Sequence, residues 1–301
     1  VVPELDRLWS YYRNPRRRSG SGASALAQAK GLPARLRGGR VKGGDDRDGA
    51  GKEVVIENDI GWRVNAMVDF VFGKPVRIVS TADEEGRRRE IEAILDRVFE
   101  SSGGGSMLQD AGLLGAVHGH VDFVLRAEGL FDGGTIAGEA GRLEDVLEAA
   151  SGALIEIVEA PRAVPVLDPS DFRVLRGYVI VCDEETDELE TVGGVTRRRV
   201  SRVVEVLSGS HRQVYRDGEL IEDTANPLGF LPVVHVQDTS QPFAYEGVSE
   251  VEPLIPTQDE LNTRLSDRAH RVTMQSFKMY LAKGIEGFGA TPVGPGQVWS
   301  T

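Results

Sequence analysis

Residues 154–236 constrain the fold more than any other part of the sequence, because strand signals follow one another there with no helical pattern between them. The runs 154–158, 172–175, 178–182, 200–207 and 213–215 are rich in β-branched and aromatic residues. Arg216-Asp217-Gly218-Glu219 centres on the Asp-Gly pair that favours a two-residue hairpin turn. An antiparallel region follows. A doubly wound nucleotide-binding sheet would need regular alternation of strand and helix, and this stretch has none.

The flanking sequence is helical. Ile60, Val64, Met67, Val68, Val71 and Phe72 recur at three and four residues, which predicts a helix capped by Asn58 or Asp59 and stopped at Gly73, with a strand over 76–79 after Lys74-Pro75. A second amphipathic helix is predicted over 84–100, with Ile91, Ile94, Leu95, Val98 and Phe99 inward and Arg87-Arg88-Arg89 outward. A third covers 106–118 and ends at Gly119, followed by a strand over 121–126. Near the other end, Ser249-x-x-Glu252 and Thr257-x-x-Glu260 are successive capping boxes, with Pro256 before the second. They predict a long helix over 258–283, roughly 39 Å in length. Glu260 with Arg264 and Asp267 with Arg271 are i,i+4 ion pairs on it. Its apolar residues are spread around more than one face, as a helix contacted on several sides requires. The whole is an α+β chain.

Composition narrows the function. With 40% hydrophobic and 27% charged residues the chain reads as globular. It has no run of about 18 apolar residues, and its first thirty residues lack the pattern of a signal peptide. The single cysteine, Cys182, excludes an intrachain disulfide and reads as a small hydrophobe in a strand. Net charge is −12, yet residues 1–47 carry eleven Lys or Arg against four Asp or Glu, a net of +7 that leaves −19 on the remainder. Residues 1–50, with Leu5–Tyr12 as a short amphipathic helix and a Gly-, Ser- and Arg-rich continuation, read as a flexible basic arm. So acidic a body is no phosphate clamp, although its charge permits a task in which a duplex slides past without being gripped.

No catalytic constellation emerges. Gly49-Ala50-Gly51-Lys52 resembles the end of a phosphate loop, but Glu53 replaces the required Ser or Thr and Asp46 the first glycine. His118-Gly119-His120 has no obvious third metal ligand, and the helix-to-strand junction accounts for both histidines. Asp183-Glu184-Glu185 with Asp187 and Glu188 lacks the spacing of a calcium loop and reads as a solvated hairpin tip. No catalytic, cofactor or metal residue is assigned, and the chain is read as a non-enzyme.

Three stretches, in order, resemble the portal proteins of long-tailed double-stranded-DNA phages. They are Asn58 to Val76, ending Val71-Phe72-Gly73-Lys74-Pro75-Val76; Asn226-Pro227-Leu228-Gly229-Phe230-Leu231-Pro232-Val233-Val234; and Gly247-Val248-Ser249-Glu250-Val251-Glu252 continuing to Gln258-Asp259-Glu260-Leu261-Asn262 and Leu265-Ser266-Asp267. The resemblance implies a wing over 51–248, a first stem helix over 249–283 and the start of a clip over 284–301. A second stem helix, channel loop and crown, which portal subunits normally have, are not in this sequence.

It further implies a homo-oligomeric ring of about twelve copies at one capsid vertex of the virion, assembled in the host cytoplasm without a membrane. Double-stranded DNA would pass through the ring during packaging and ejection. Its partners would be the terminase large subunit, a head-tail adaptor, and the major capsid and scaffolding proteins. Arg264, Arg271, Lys278 and Lys283 are the candidate channel cations, each equally able to bridge to a neighbouring subunit. Leu261, Leu265, Val272 and Phe277 are candidate ring contacts, and Gly296, Gln297, Val298 and Trp299 candidate clip docking residues. Two other readings accommodate the same residues: a phage or prophage head or baseplate protein of similar build, and, given the many acids, a metal-dependent nuclease.

Overall fold

Caps and glycine stops set the helices of the first half. In the computed structural model, which describes residues 2–18, 24–37, 40–41, 53–127, 143–189, 196–276, 280–282 and 298–300, helix α1 is Val2–Arg13 and short strands β1 (Arg16–Arg18), β2 (Ser24–Leu26), β3 (Arg40–Val41) and β4 (Glu53–Val54) follow. Helices α2 (Asp59–Phe72), α3 (Glu85–Ser101) and α4 (Gly104–His118) come next. Asn58 is the cap of α2, its Oδ1 accepting the Gly61 N–H at 3.1 Å, and Ile60, Val64 and Val68 form its buried stripe. Gly119, at φ 92°, ends α4 in the left-handed region where a side chain is strained.

The strands are β5 (His120–Arg126), β6 (Leu154–Glu159), β7 (Ala163–Leu167), β8 (Leu175–Leu189), β9 (Thr196–Leu207), β10 (His211–Arg216), β11 (Glu219–Ala225) and β12 (Val233–Gln237), with α5 (Leu143–Ala150) between β5 and β6. Helix α6 (Ile255–Gln275) and strands β13 (Tyr280–Ala282) and β14 (Val298–Ser300) are the last of the described elements. No helix among the described residues is long and apolar enough to cross a membrane.

The chain divides into two compact units, Val1–Trp9 with Arg63–Glu252 and Ser10–Trp62 with Pro253–Thr301. The first holds two antiparallel sheets, of order β11-β10-β9-β8-β7 and β12-β5-β6. Alternation along β5 gives each face a separate task. Val124 joins Val158, Tyr178, Ile180 and Leu207 in the core between the sheets, while Phe123 and Leu125 line an apolar groove with Met107 and Leu108 of α4. Arg126 fastens the sheets by donating to both Glu205 oxygens at 2.6 and 2.7 Å and to Glu156 at 2.7 Å.

Several expectations hold. The Asp217-Gly218 pair, at φ 50° and 91°, makes the two-residue turn between β10 and β11, and Cys182 lies half-buried in β8. Others are corrected. Residues 76–79 pair with no strand among those described, and Val76 and Val79 are exposed. No side chain of α3 is fully buried, and Leu95 is exposed. Residues 172–174 form a turn, so that strand begins only at Leu175. The carboxylate run at 183–188 is not a hairpin tip but part of β8, paired along β9. Strand β7 is missed by sequence reasoning because of Pro165, which the sheet tolerates because β7 lies at its edge.

Candidate functional site

The second unit is organised around α6, whose start differs from the expected one. It begins at Ile255 behind Leu254, with Pro256 in the first turn where a missing N–H costs nothing, so Thr257 is already helical and its capping box is unused. The earlier box does work in part: Ser249 Oγ accepts from the Val251 and Glu252 N–H groups at 3.0 and 3.4 Å. The helix ends at Gln275, and Tyr280–Ala282 is a strand, so it does not run to Lys283.

Its buried stripe is polar. Gln258, Asn262 and Ser266, spaced by four, are 3%, 0% and 0% exposed, and they read the backbone of the segment leading into α2. Ser266 Oγ accepts from the Val55 N–H at 3.0 Å and donates to the Val55 carbonyl at 3.1 Å. Asn262 Oδ1 accepts from the Glu57 N–H at 3.0 Å, and Gln258 accepts from the Ile60 N–H at 3.2 Å while donating to the Glu57 carbonyl at 2.8 Å. Asn262 Nδ2 donates to the buried Gln28 Oε1 at 3.1 Å, and Gln28 Nε2 donates to the Tyr11 carbonyl and Asn58 Oδ1, both at 2.7 Å. The helix thus supplies a stretch of main chain with the partners that a neighbouring strand would give it. Around this seam Tyr11 donates to both Asp259 oxygens, and Leu32, Leu36 and Val54 form a small core. That packing lies within the stretch expected as an arm.

Of the sequence-predicted residues, those that are described lie on α6 and β14. Arg264 is exposed and pairs with Glu260 at 2.6 Å, as its spacing predicts. Asp267 instead takes Arg35 at 2.7 Å, and that bond, aided by the charges of Arg271 and Arg264, holds its carboxyl below the usual range. Arg271 is exposed, as is Arg268, which sequence reasoning missed and which completes a basic outer stripe with Arg264. Leu261 and Leu265 are half-buried and Val272 is 55% exposed. Val298 and Trp299 lie on β14, paired in parallel with Tyr280 and Leu281. Phe277, Lys278, Lys283, Gly296 and Gln297 lie outside the described residues, as do Gly49, Ala50, Gly51 and Lys52.

The first unit has its own buried polar cluster. Asp122, fully buried, accepts from the Tyr178 hydroxyl at 2.6 Å and the Tyr245 hydroxyl at 2.9 Å, and its Oδ1 lies 2.6 Å from His235 Nδ1. His118 stacks on Trp9 at 5.8 Å, and its Nδ1 has no partner among the described residues. Burial, with the charge of His120 adding and that of Asp6 opposing, pushes the His118 imidazole down to about 4. The unfolded ring protonates near 6.5 and the folded one near 4. The stability this group supports is therefore complete above about 6.5 and lost as the pH falls towards 4, by up to ~3 kcal/mol. Acid unfolding of His118→Phe is expected to lose that share of its slope between pH 6.5 and 4. No set of three metal-ligating side chains converges among the described residues.

The family described as phage portal protein, SPP1 Gp6-like, matches residues 130–295, more than half of the chain. No curated protein matches.

Proposed function

Because the chain belongs to the SPP1 Gp6-like phage portal proteins, we propose that it is the subunit of a closed ring at one capsid vertex, forming the channel for genome packaging and ejection. The ring is read as about twelve copies. It receives the terminase large subunit and the head-tail adaptor on the clip side, and capsid and scaffolding proteins around the wing. The role is mechanical, and the work of DNA translocation falls to the motor that docks on it.

The observation that carries the reading beyond family membership is the two-sided character of α6. Its inner stripe is consumed by hydrogen bonds to its own chain. Its outer face, with Arg264, Arg268, Arg271 and Val272, stays exposed. A helix held by polar bonds on one side and open on the other suits a ring, in which the free faces meet neighbours and the bore. Exposed arginines among the many acids of the body would give DNA brief phosphate contacts without clamping it.

The test is native mass spectrometry with electron-microscope top views of the full-length protein, alongside a packaging assay. A closed ring with a central hole is expected, and Arg264→Glu with Arg271→Glu is expected to preserve the ring while reducing packaged DNA about tenfold or more. A monomeric or dimeric protein would overturn the ring, and unchanged packaging would remove the two arginines from the channel.

A further inference from the structure

Strands β8 and β9 are much longer than their neighbours. Strand β7 pairs with β8 only as far as Ile180, and β10 pairs with β9 only from Val203 onward. The register of β8 with β9 nevertheless continues from Tyr178 opposite Leu207 to Leu189 opposite Thr196. Beyond the five-stranded sheet the two strands therefore run on as a two-stranded ribbon; Asp217 of the β10–β11 turn bonds the N–H and carbonyl of Arg202 at 2.8 and 2.9 Å, and past that point neither outer edge pairs with a strand among the described residues. Open edges of this length invite a further strand, and proteins that leave them open usually protect them with charge.

Here the charge is divided by strand. Residues 183–189 on β8 comprise Asp183, Glu184, Glu185, Asp187 and Glu188 with no base, whereas 196–202 on β9 comprise Arg197, Arg198, Arg199 and Arg202 with no acid. The register sets Asp183 opposite Arg202, Asp187 opposite Arg198 and Glu188 opposite Arg197, and the first pair is bonded at 2.8 Å. Each ribbon thus has one acidic and one basic edge. Mixed signs on both strands would protect the edges equally well, so the division calls for a further explanation.

We propose that in the assembled ring the acidic β8 edge of each ribbon docks against the basic β9 edge of the next copy. This rests on the ring reading above. In a ring of many copies each subunit is turned only slightly from its neighbour, so β8 of one and β9 of the next keep the antiparallel sense they have within one chain. Opposite charges would then face each other across the boundary, as the backbone register sets them within the ribbon and as Asp183 and Arg202 bond there. A two-fold dimer would set acid against acid or arginine against arginine at the same edges. The ribbon therefore favours head-to-tail association, which closes into rings, over isologous pairing, which does not.

A charge-exchanged chain tests this. Asp183→Arg with Arg202→Asp, Asp187→Arg with Arg198→Asp, and Glu188→Arg with Arg197→Glu together keep every pair inside the ribbon while reversing its two edges. Full-length wild type and variant, distinguished by a mass tag and co-expressed, would be analysed by native mass spectrometry. Each is expected to form rings of its own kind. Mixed rings are expected to fall below random mixing by about tenfold per junction at low salt, because every mixed junction sets like charges together. Near 1 M salt the depletion should largely vanish. Random mixing at low salt would overturn the inference while leaving the ring reading intact. A wild type that forms no ring would overturn the ring reading, and this inference with it. Should the triple exchange fail to assemble alone, the single exchange of Asp187 and Arg198 is scored in the same way, with a smaller depletion expected and random mixing again decisive.

Discussion

Replacing Asn262 by leucine is expected to lower stability by about 4 kcal/mol and the melting temperature by roughly 10 °C. The volumes are similar and leucine is the better helix former, so on propensity alone the change would be neutral or favourable. What is lost is chemistry. The Glu57 N–H loses its acceptor at 3.0 Å, the Gln258 amide one of its own at 3.3 Å, and Gln28 Oε1 its donor at 3.1 Å. Asn262 is fully buried, so water cannot take its place, and each group left unpaired costs about 1–3 kcal/mol. The effect should extend beyond α6, since Gln28 also carries the Tyr11 carbonyl and Asn58, the cap of α2. Arg264→Ala, on the exposed outer face, should stay within about 0.5 kcal/mol of wild type. Heat unfolding of the three full-length proteins decides the matter: an Asn262→Leu protein as stable as wild type would mean that the seam contributes shape and not hydrogen bonds.

That seam also marks where the sequence stops being readable. Local signals were legible because their causes are local. Asn58 ahead of an apolar stripe, Gly119 after α4 and Asp217-Gly218 between strands each act within a few residues, and all three appear where expected. Gln258, Asn262 and Ser266 show the same spacing of four that marks an apolar stripe, but in residues normally assigned to a solvated face. Only their partners, about two hundred residues earlier in the chain, reveal the stripe as buried. The spacing of amide and hydroxyl side chains was the available signal, and it becomes decisive only alongside a stretch of main chain in need of partners. Strand β11 was hidden for the opposite reason, since every one of its residues is exposed and no alternation survives. Strand β12 owes its place to pairing with β5, more than a hundred residues away. The outer face of α6 was partly legible: Arg264 and its pairing with Glu260 follow from spacing, whereas the diversion of Asp267 to Arg35 depends on tertiary placement.

The second large effect is expected at Asp122, where alanine should cost about 5 kcal/mol. A buried carboxylate without partners would be intolerable, and this one has three, Tyr178, Tyr245 and His235. Removing it strands two buried hydroxyls and a ring nitrogen, and it unties three elements at once: β8 through Tyr178, β12 through His235, and the 238–249 connection through Tyr245. Asp122→Asn keeps the shape and one acceptor oxygen but gives up the charge, and should cost about half as much. The tyrosines provide a readout specific to the charge. Burial and the Asp122 carboxylate raise the ionisation of both Tyr178 and Tyr245 far above the ordinary tyrosine value. Their contribution to stability is therefore complete below about pH 10 and lost as the pH rises further, because the unfolded chain ionises there and the folded one does not. In an ultraviolet titration of the wild type, Tyr178 and Tyr245 should remain silent until the protein unfolds in alkali. In Asp122→Asn the same two remain buried but lose the repelling charge, so they should ionise at a lower pH than in wild type. If Tyr178 and Tyr245 ionise near pH 10 in the wild type while the fold persists, the cluster is open to water and Asp122 does not anchor it. If the two stay silent but Asp122→Asn titrates as wild type does, burial alone protects them and the carboxylate contributes only its hydrogen bonds.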